Sequence, residues 1–165
     1  ARLSFGTEEG RKPDQARDAK GHKGCKGMSA DLAVQKAIRA RLIATTAVTD
    51  LVPANSILDR NSRPAPRPGI VIGEAQEVDE GDSISRTRTR IFHTIHVWKT
   101  EPSREGVKII AAAIRTAIRS ARLDLGAGYH CADWRLASTR TMSDPDGETS
   151  HAVIVVECLV EEVAP

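Results

Sequence analysis

The stretch Ser150–Glu161 constrains the fold of this chain more than any other. Along a strand, successive side chains point to opposite faces. One parity here reads Ala152, Ile154, Val156, Cys158 and Val160; the other reads Val153, Val155, Glu157 and Leu159. A strand with one face in water alternates apolar with polar residues. Both faces of this one are mostly apolar, so both must be covered. Cover comes either from a second layer of the same domain or, in part, from another subunit. Two helices cover one face of a small sheet and not both, which leaves apolar area for a neighbour. Val153, Val155 and Leu159 are therefore candidate subunit-interface positions.

The rest of the pattern supplies those helices and further strands. Ser29–Ala44 reads as a helix with Ser29 as its N-cap and Asp31 in the first turn. Its expected apolar stripe is Leu32, Ala33, Ala37, Ala40 and Ile43, widened by Ile38 and Leu42. A short turn, Thr46–Leu51, ends at Pro53, and Ser56–Asp59 is a candidate short strand. Pro64, Pro66 and Pro68 make Asn61–Gly69 an extended loop. Gly69–Val78 and Arg86–Lys99 read as strands, joined through an acidic hairpin tip, Asp79–Ser85. In the second of these, Ile91, Ile95 and Val97 share one face and Phe92, His96 and Trp98 the other.

Ser103 is the expected cap of a second long helix, with Glu105 in its first turn. Val107, Ile110, Ile114, Ala117, Ile118 and Ala121 form its apolar stripe, and Lys108, Arg115, Arg119 and Arg122 lie opposite. Gly126 and Gly128 are its expected end. Tyr129–Met142 follows as a strand, then the turn Ser143-Asp-Pro-Asp-Gly, then the last strand. Strands joined by hairpins pair antiparallel. The expected architecture is α+β, a mainly antiparallel sheet with two principal helices packed on one face.

Residues 1–27 do not share this patterning. They hold seven Lys/Arg, four Asp/Glu and only two large apolar residues, Leu3 and Phe5. Too little apolar surface is present to offset the entropy of ordering. The expected division is a disordered or non-native leader over 1–27, vector-derived or from an upstream start, and a single domain over 28–165 opening at Met28. A basic arm that docks on a partner is the other reading of the leader. From Met28 on, seventeen Lys/Arg face eighteen Asp/Glu, so no strong field favours nucleic acid or a membrane surface. Aromatics are 3% of the chain, too few for a base-stacking platform. No apolar run reaches the length of a membrane span. Cys25, Cys131 and Cys158 are odd in number and form no CxxC pair, so no disulfide framework is expected.

The residues propose no chemistry. His93 and His96 are three apart on a strand, so their rings diverge and do not make a metal pair. His22 and Cys25 lie in the leader without further ligands. His130 and Cys131 are adjacent and diverge, whereas a Cys–His dyad needs convergence. Asp144, Asp146 and Glu148 lack the full ligand set of a calcium loop and read as a solvated hairpin tip. No phosphate-loop, dinucleotide or nucleophile-elbow motif occurs. The expectation is no enzyme, no catalytic residue, no metal and no cofactor. A hydrolase built on His130 or the Asp144–Glu148 loop has no motif behind it.

One charge pattern remains. Arg86, Arg88 and Arg90 alternate along a strand and would share a face over about 13 Å. They are either a solvated edge face that discourages edge pairing or a contact for phosphates or an acidic surface. With Asp79, Glu80 and Asp82 of the tip they are the candidate positions for contact with a partner surface or DNA.

Taken in order, these segments resemble a known family. The succession runs from Asp31-Leu-Ala-Val-Gln-Lys-Ala-Ile-Arg-Ala-Arg-Leu through Ala47-Val-Thr-Asp-Leu-Val and Ser56-Ile-Leu-Asp-Arg. Pro68-Gly-Ile-Val-Ile-Gly, Thr94-Ile-His-Val-Trp and Glu101-Pro-Ser-Arg-Glu-Gly follow, and Arg135-Leu and His151-Ala-Val-Ile-Val-Val-Glu close it. Residues 28–165 are similar to the tail-completion, or tail-terminator, proteins of long-tailed phages and gene transfer agents. The resemblance implies an α+β subunit of a hexameric ring at the head–tail junction of a particle assembled in the host cytoplasm. Such a ring caps the head-proximal end of the tail tube, stops its polymerisation and joins it to the head–tail stopper. The implied partners are other copies of the chain, the tail-tube protein, the stopper or connector protein, and DNA passing through the lumen without being read; no membrane is implied. The alternative function is a small nucleic-acid-binding module without sequence specificity, using the Arg stripe and the basic leader.

Overall fold

The computed structural model describes residues 28–59, 65–81 and 84–163; the expected leader, 1–27, lies outside the described residues. The elements are α1 (Ala30–Ala44), α2 (Thr46–Thr49), β1 (Ile57–Leu58), β2 (Gly69–Asp79), β3 (Arg88–Thr100), α3 (Glu105–Ser120), β4 (Tyr129–Ser143) and β5 (Thr149–Glu162). The strands form one five-stranded sheet in the order β1-β2-β3-β5-β4. Only β1–β2 is parallel; the other three pairings are antiparallel. The fold is α+β, with α1 and α3 as the two main helices packed against the sheet.

The core lies between those helices and one sheet face. β3 contributes Ile91, His93, Ile95 and Val97, and β5 contributes Ala152, Ile154, Val156, Cys158 and Val160, all buried. From α3 come Val107, Ile110, Ile114, Ala117 and Ile118, five of the six residues expected from its spacing; the sixth, Ala121, lies past the helix end and is exposed. In α1 the buried face is Ala33, Val34, Ile38 and Leu42, while Leu32 is 38% exposed. Of the expected stripe Ala33, Ile38 and Leu42 are buried, whereas Leu32 and Ala40 are exposed and Val34, outside the expected set, is buried. Apolar residues run around most of this helix, so its periodicity does not single out a face.

Both ends of α3 depart from expectation. Its N-cap position is Arg104, which makes no side-chain capping bond; Ser103 Oγ accepts only from the Glu105 N–H, at 3.3 Å. The free amides are met by Glu101, whose carboxylate accepts from Gly106 N–H (3.1 Å) and Val107 N–H (2.9 Å). Gly106 matters here, because a Cβ would fall on the Glu101 carboxylate and the Lys99 chain. A carboxylate at a helix N-terminus gains from both the hydrogen bonds and the dipole. Glu101→Ala should therefore lower stability by about 1–2 kcal/mol, read as a shift in the urea midpoint at unchanged slope. Equal midpoints for the variant and the parent would remove Glu101 from this role.

The helix stops at Ser120, short of the expected Gly126. Arg41 of α1 supplies the reason: its guanidinium donates to Ala121 O (2.9 Å), Arg122 O (2.8 Å) and Ser120 Oγ (3.1 Å). These bonds satisfy carbonyls a helix end leaves open, and the chain turns away with Leu123 and Leu125 buried.

Candidate assembly surface

The helices leave the second face of the sheet open. β3 places Arg88, Arg90, Phe92, Thr94, His96 and Trp98 on it, all partly exposed. β5 adds His151, Val153, Val155, Glu157 and Leu159, set opposite Trp98, His96, Thr94, Phe92 and Arg90. Val153, Val155 and Leu159 are half-buried by strand neighbours alone. Among the described residues no second layer covers them. Thus the doubly apolar strand has one face in the core and the other on the open side of the sheet.

At one end of this face three rings stack. Trp98 and His151 lie 4.7 Å apart between centroids at 6°, and His96 lies 5.2 Å from each. His96 Nδ1 and His151 Nε2 share a hydrogen bond of 3.0 Å. Burial, and then the neighbouring His96, hold the His151 pKa below its ordinary value, against a smaller opposing pull from Asp144.

At the other end an ion-pair network crosses four chain segments. The Arg90 guanidinium bonds both Glu80 and Glu157. Glu157 also accepts from Arg135 Nε (3.0 Å) and Nη2 (2.8 Å). Burial alone would raise the Glu157 pKa; the bonds from Arg135 and Arg90 together outweigh it and hold the carboxyl below the usual range.

The hairpin ribbon between β2 and β3 carries most of the candidate contact positions. Asp79 ends β2, accepts from Gly81 N–H (2.8 Å) and pairs with Arg86 (3.2 Å). Glu80 hydrogen-bonds back to Arg88 O through its own N–H, at 3.2 Å. Arg86 does not extend the stripe: it precedes β3 and has φ +51°, a left-handed conformation. Arg88 and Arg90 do share the open face, and Arg90 is committed to two carboxylates. The turn after β2 supplies one of these carboxylates, Glu80, and β5 the other, Glu157. Asp82 lies outside the described residues. Ile84, at the tip, is wholly exposed.

The remaining candidates do not converge on chemistry. His93 faces the core, 2.8 Å from Asp31 Oδ1, while its sequence neighbour His96 faces the open side. His130 is exposed beside Arg122 (3.4 Å), and Cys131 is buried with its Sγ 3.5 Å from that of Cys158. Asp146 accepts from Glu148 N–H, Thr149 N–H and Thr149 Oγ1, so it serves its own hairpin turn. No group of three metal-ligating side chains occurs among the described residues, and no described helix is long and apolar enough to cross a membrane. Sequence reasoning missed the Glu80–Arg90–Glu157–Arg135 network. Its one local signal is Glu157, the single acidic residue in the inner run of the last strand.

Comparison with known proteins yields a family. Residues 36–161 match the profile of the tail completion protein gp17 family. A chain in the virion of a native gene transfer agent particle shares the fold with a TM-score of 0.66 and 21% identity, over 78% of this chain and 94% of that one. The gp17 protein of bacteriophage SPP1 matches with a TM-score of 0.54 and 24% identity, over 78% and 89%. No curated protein matches.

Proposed function

The chain belongs to the tail completion protein gp17 family, and on that premise we propose that it is the structural subunit of a tail terminator ring. In this reading six copies close at the head-proximal end of the tail tube, stop its polymerisation and join it to the head–tail stopper. DNA crosses the lumen without being read, and the chain performs no catalysis. Its place is the virion or gene-transfer-agent particle, at the junction of head and tail.

The observation that carries the reading is the uncovered row Val153, Val155 and Leu159. Apolar residues on an interior strand of a face without helices are stable in water only at a cost, and cover by a neighbouring subunit removes it. The alternative nucleic-acid module loses ground because Arg86 and Arg90 are matched by Asp79, Glu80 and Glu157.

The test is the molar mass of the full chain in solution, with and without the tail-tube protein of the same particle, at low and high salt. A hexamer-sized species, alone or on the tube protein, is the expected result. A monomer that ignores the tube protein and binds duplex DNA with steep salt dependence would replace this reading with the alternative.

A further inference from the structure

A groove of about 460 Å³ runs between α3 and β4, lined by Arg115, Ile118, Arg119, Arg122, Trp134 and Arg135 among others. The β4 residues Asp133–Leu136 all line it. Consecutive strand residues alternate between faces, so a cavity touching all four lies beside the edge of the strand. β4 is the terminal strand of the sheet, and among the described residues its outer side is unpaired. Trp134 is fixed against the helix end by its indole N–H, which donates to Ala121 O at 3.2 Å.

The groove is basic. Arg135 is matched by Glu157 at 2.8 Å. Arg115, Arg119 and Arg122 are exposed, and among the described residues none has a carboxylate within ion-pair reach. Asp133 is the single acid in the lining.

The far side of the sheet has the opposite character. β1 covers β2 only at Ile70 and Val71. Beyond that the outer edge of β2 is open among the described residues and carries exposed Glu74, Glu77 and Asp79. Glu74 is 75% exposed with His96 Nε2 at 3.6 Å, Glu77 accepts from the Asp31 N–H, and Asp79 is paired with Arg86. Both edges present unpaired backbone, and the five-stranded sheet is open, so among the described residues they do not pair with each other. Between copies related by rotation, each acidic edge meets the next basic groove. Such a contact is heterologous, the kind that closes rings.

We infer that the groove between α3 and the free edge of β4 receives the acidic β2 edge of a neighbouring copy of this chain. The inference rests on the ring reading above and adds the two surfaces that close the ring. Opposite charge on the two edges favours this pairing over groove-to-groove or edge-to-edge contact.

The test is charge reversal in the full chain, read by sedimentation. Arg119→Glu with Arg122→Glu, or Glu74→Lys with Glu77→Lys, should each weaken assembly by about tenfold or more. All four changes together should restore it to within about threefold of the parent. In a Cys25→Ser background, Glu77→Cys mixed with Arg119→Cys should give a dimer with a bismaleimide, and neither variant alone should. Cys131 and Cys158 are buried and do not compete. Assembly of the parent that survives both reversals overturns this contact and leaves the ring reading standing. Loss of duplex-DNA retention on reversing the arginines, with assembly intact, assigns the groove to phosphate instead. A parent that stays monomeric with and without the tail-tube protein, together with cysteine variants that give no cross-link, overturns both.

Discussion

Val155→Asp should yield a folded subunit that no longer assembles, with association weakened by about 100-fold or more. Val155 sits at the middle of β5, opposite Thr94 of β3 and Ser138 of β4, on the face without helices. It is only half-buried, so in the isolated subunit a carboxylate there keeps much of its water and costs little. Covered by a neighbour, the same carboxylate loses that water with no cation opposite. An unpaired buried charge costs several kcal/mol, and each 1.4 kcal/mol is a factor of ten. The measurement is sedimentation beside a circular-dichroism melt. Val155→Thr, which adds a hydroxyl and no charge, should lose much less, about tenfold. Normal assembly of the Asp variant with an unchanged melt would show that nothing covers this face. Val153→Asp is the matched variant two residues away on the same row.

What the sequence made legible follows from how local each cause is. The doubly apolar run of β5, the α3 stripe from Val107 to Ile118 and the turn before β5 are set by residues a few positions apart, and each appears where the pattern puts it. Features set by distant residues did not show. Arg41 ends α3 from roughly eighty positions away. Glu101 takes the capping role from Ser103 because the chain before α3 folds back over the helix start. Arg90 finds Glu157 across 67 positions, so an arginine read as open to phosphate is an internal partner. The basic side of α3 was visible in the spacing of Arg115, Arg119 and Arg122, but the strand edge that turns it into a groove is a product of the sheet order. The assembly surface is half legible for the same reason: which face of β5 stays open depends on where the helices pack.

Glu157→Gln should lower stability near neutral pH by about 2 kcal/mol, a fall in melting temperature of about 6 °C for a domain of this size. The side chain is 7% exposed and accepts charge-assisted bonds from Arg135 and Arg90. An amide in its place keeps the volume and loses the charge. The pH dependence separates this from a packing defect. The folded carboxyl has its pKa depressed, because the two arginines outweigh burial. Its contribution is therefore present above the ordinary carboxylate value and is lost as pH falls through the lower folded value. Acidification should bring parent and variant stabilities together. A constant gap across that range would assign the loss to shape alone. The consequence reaches the ribbon, since Arg90 holds Glu80 with the same guanidinium and the Glu80 N–H closes the ribbon base onto Arg88 O. With Glu157 neutral, Arg90 is held from one side. Amide exchange at Glu80 should then quicken while the core amides of β3 and β5 keep pace with global stability.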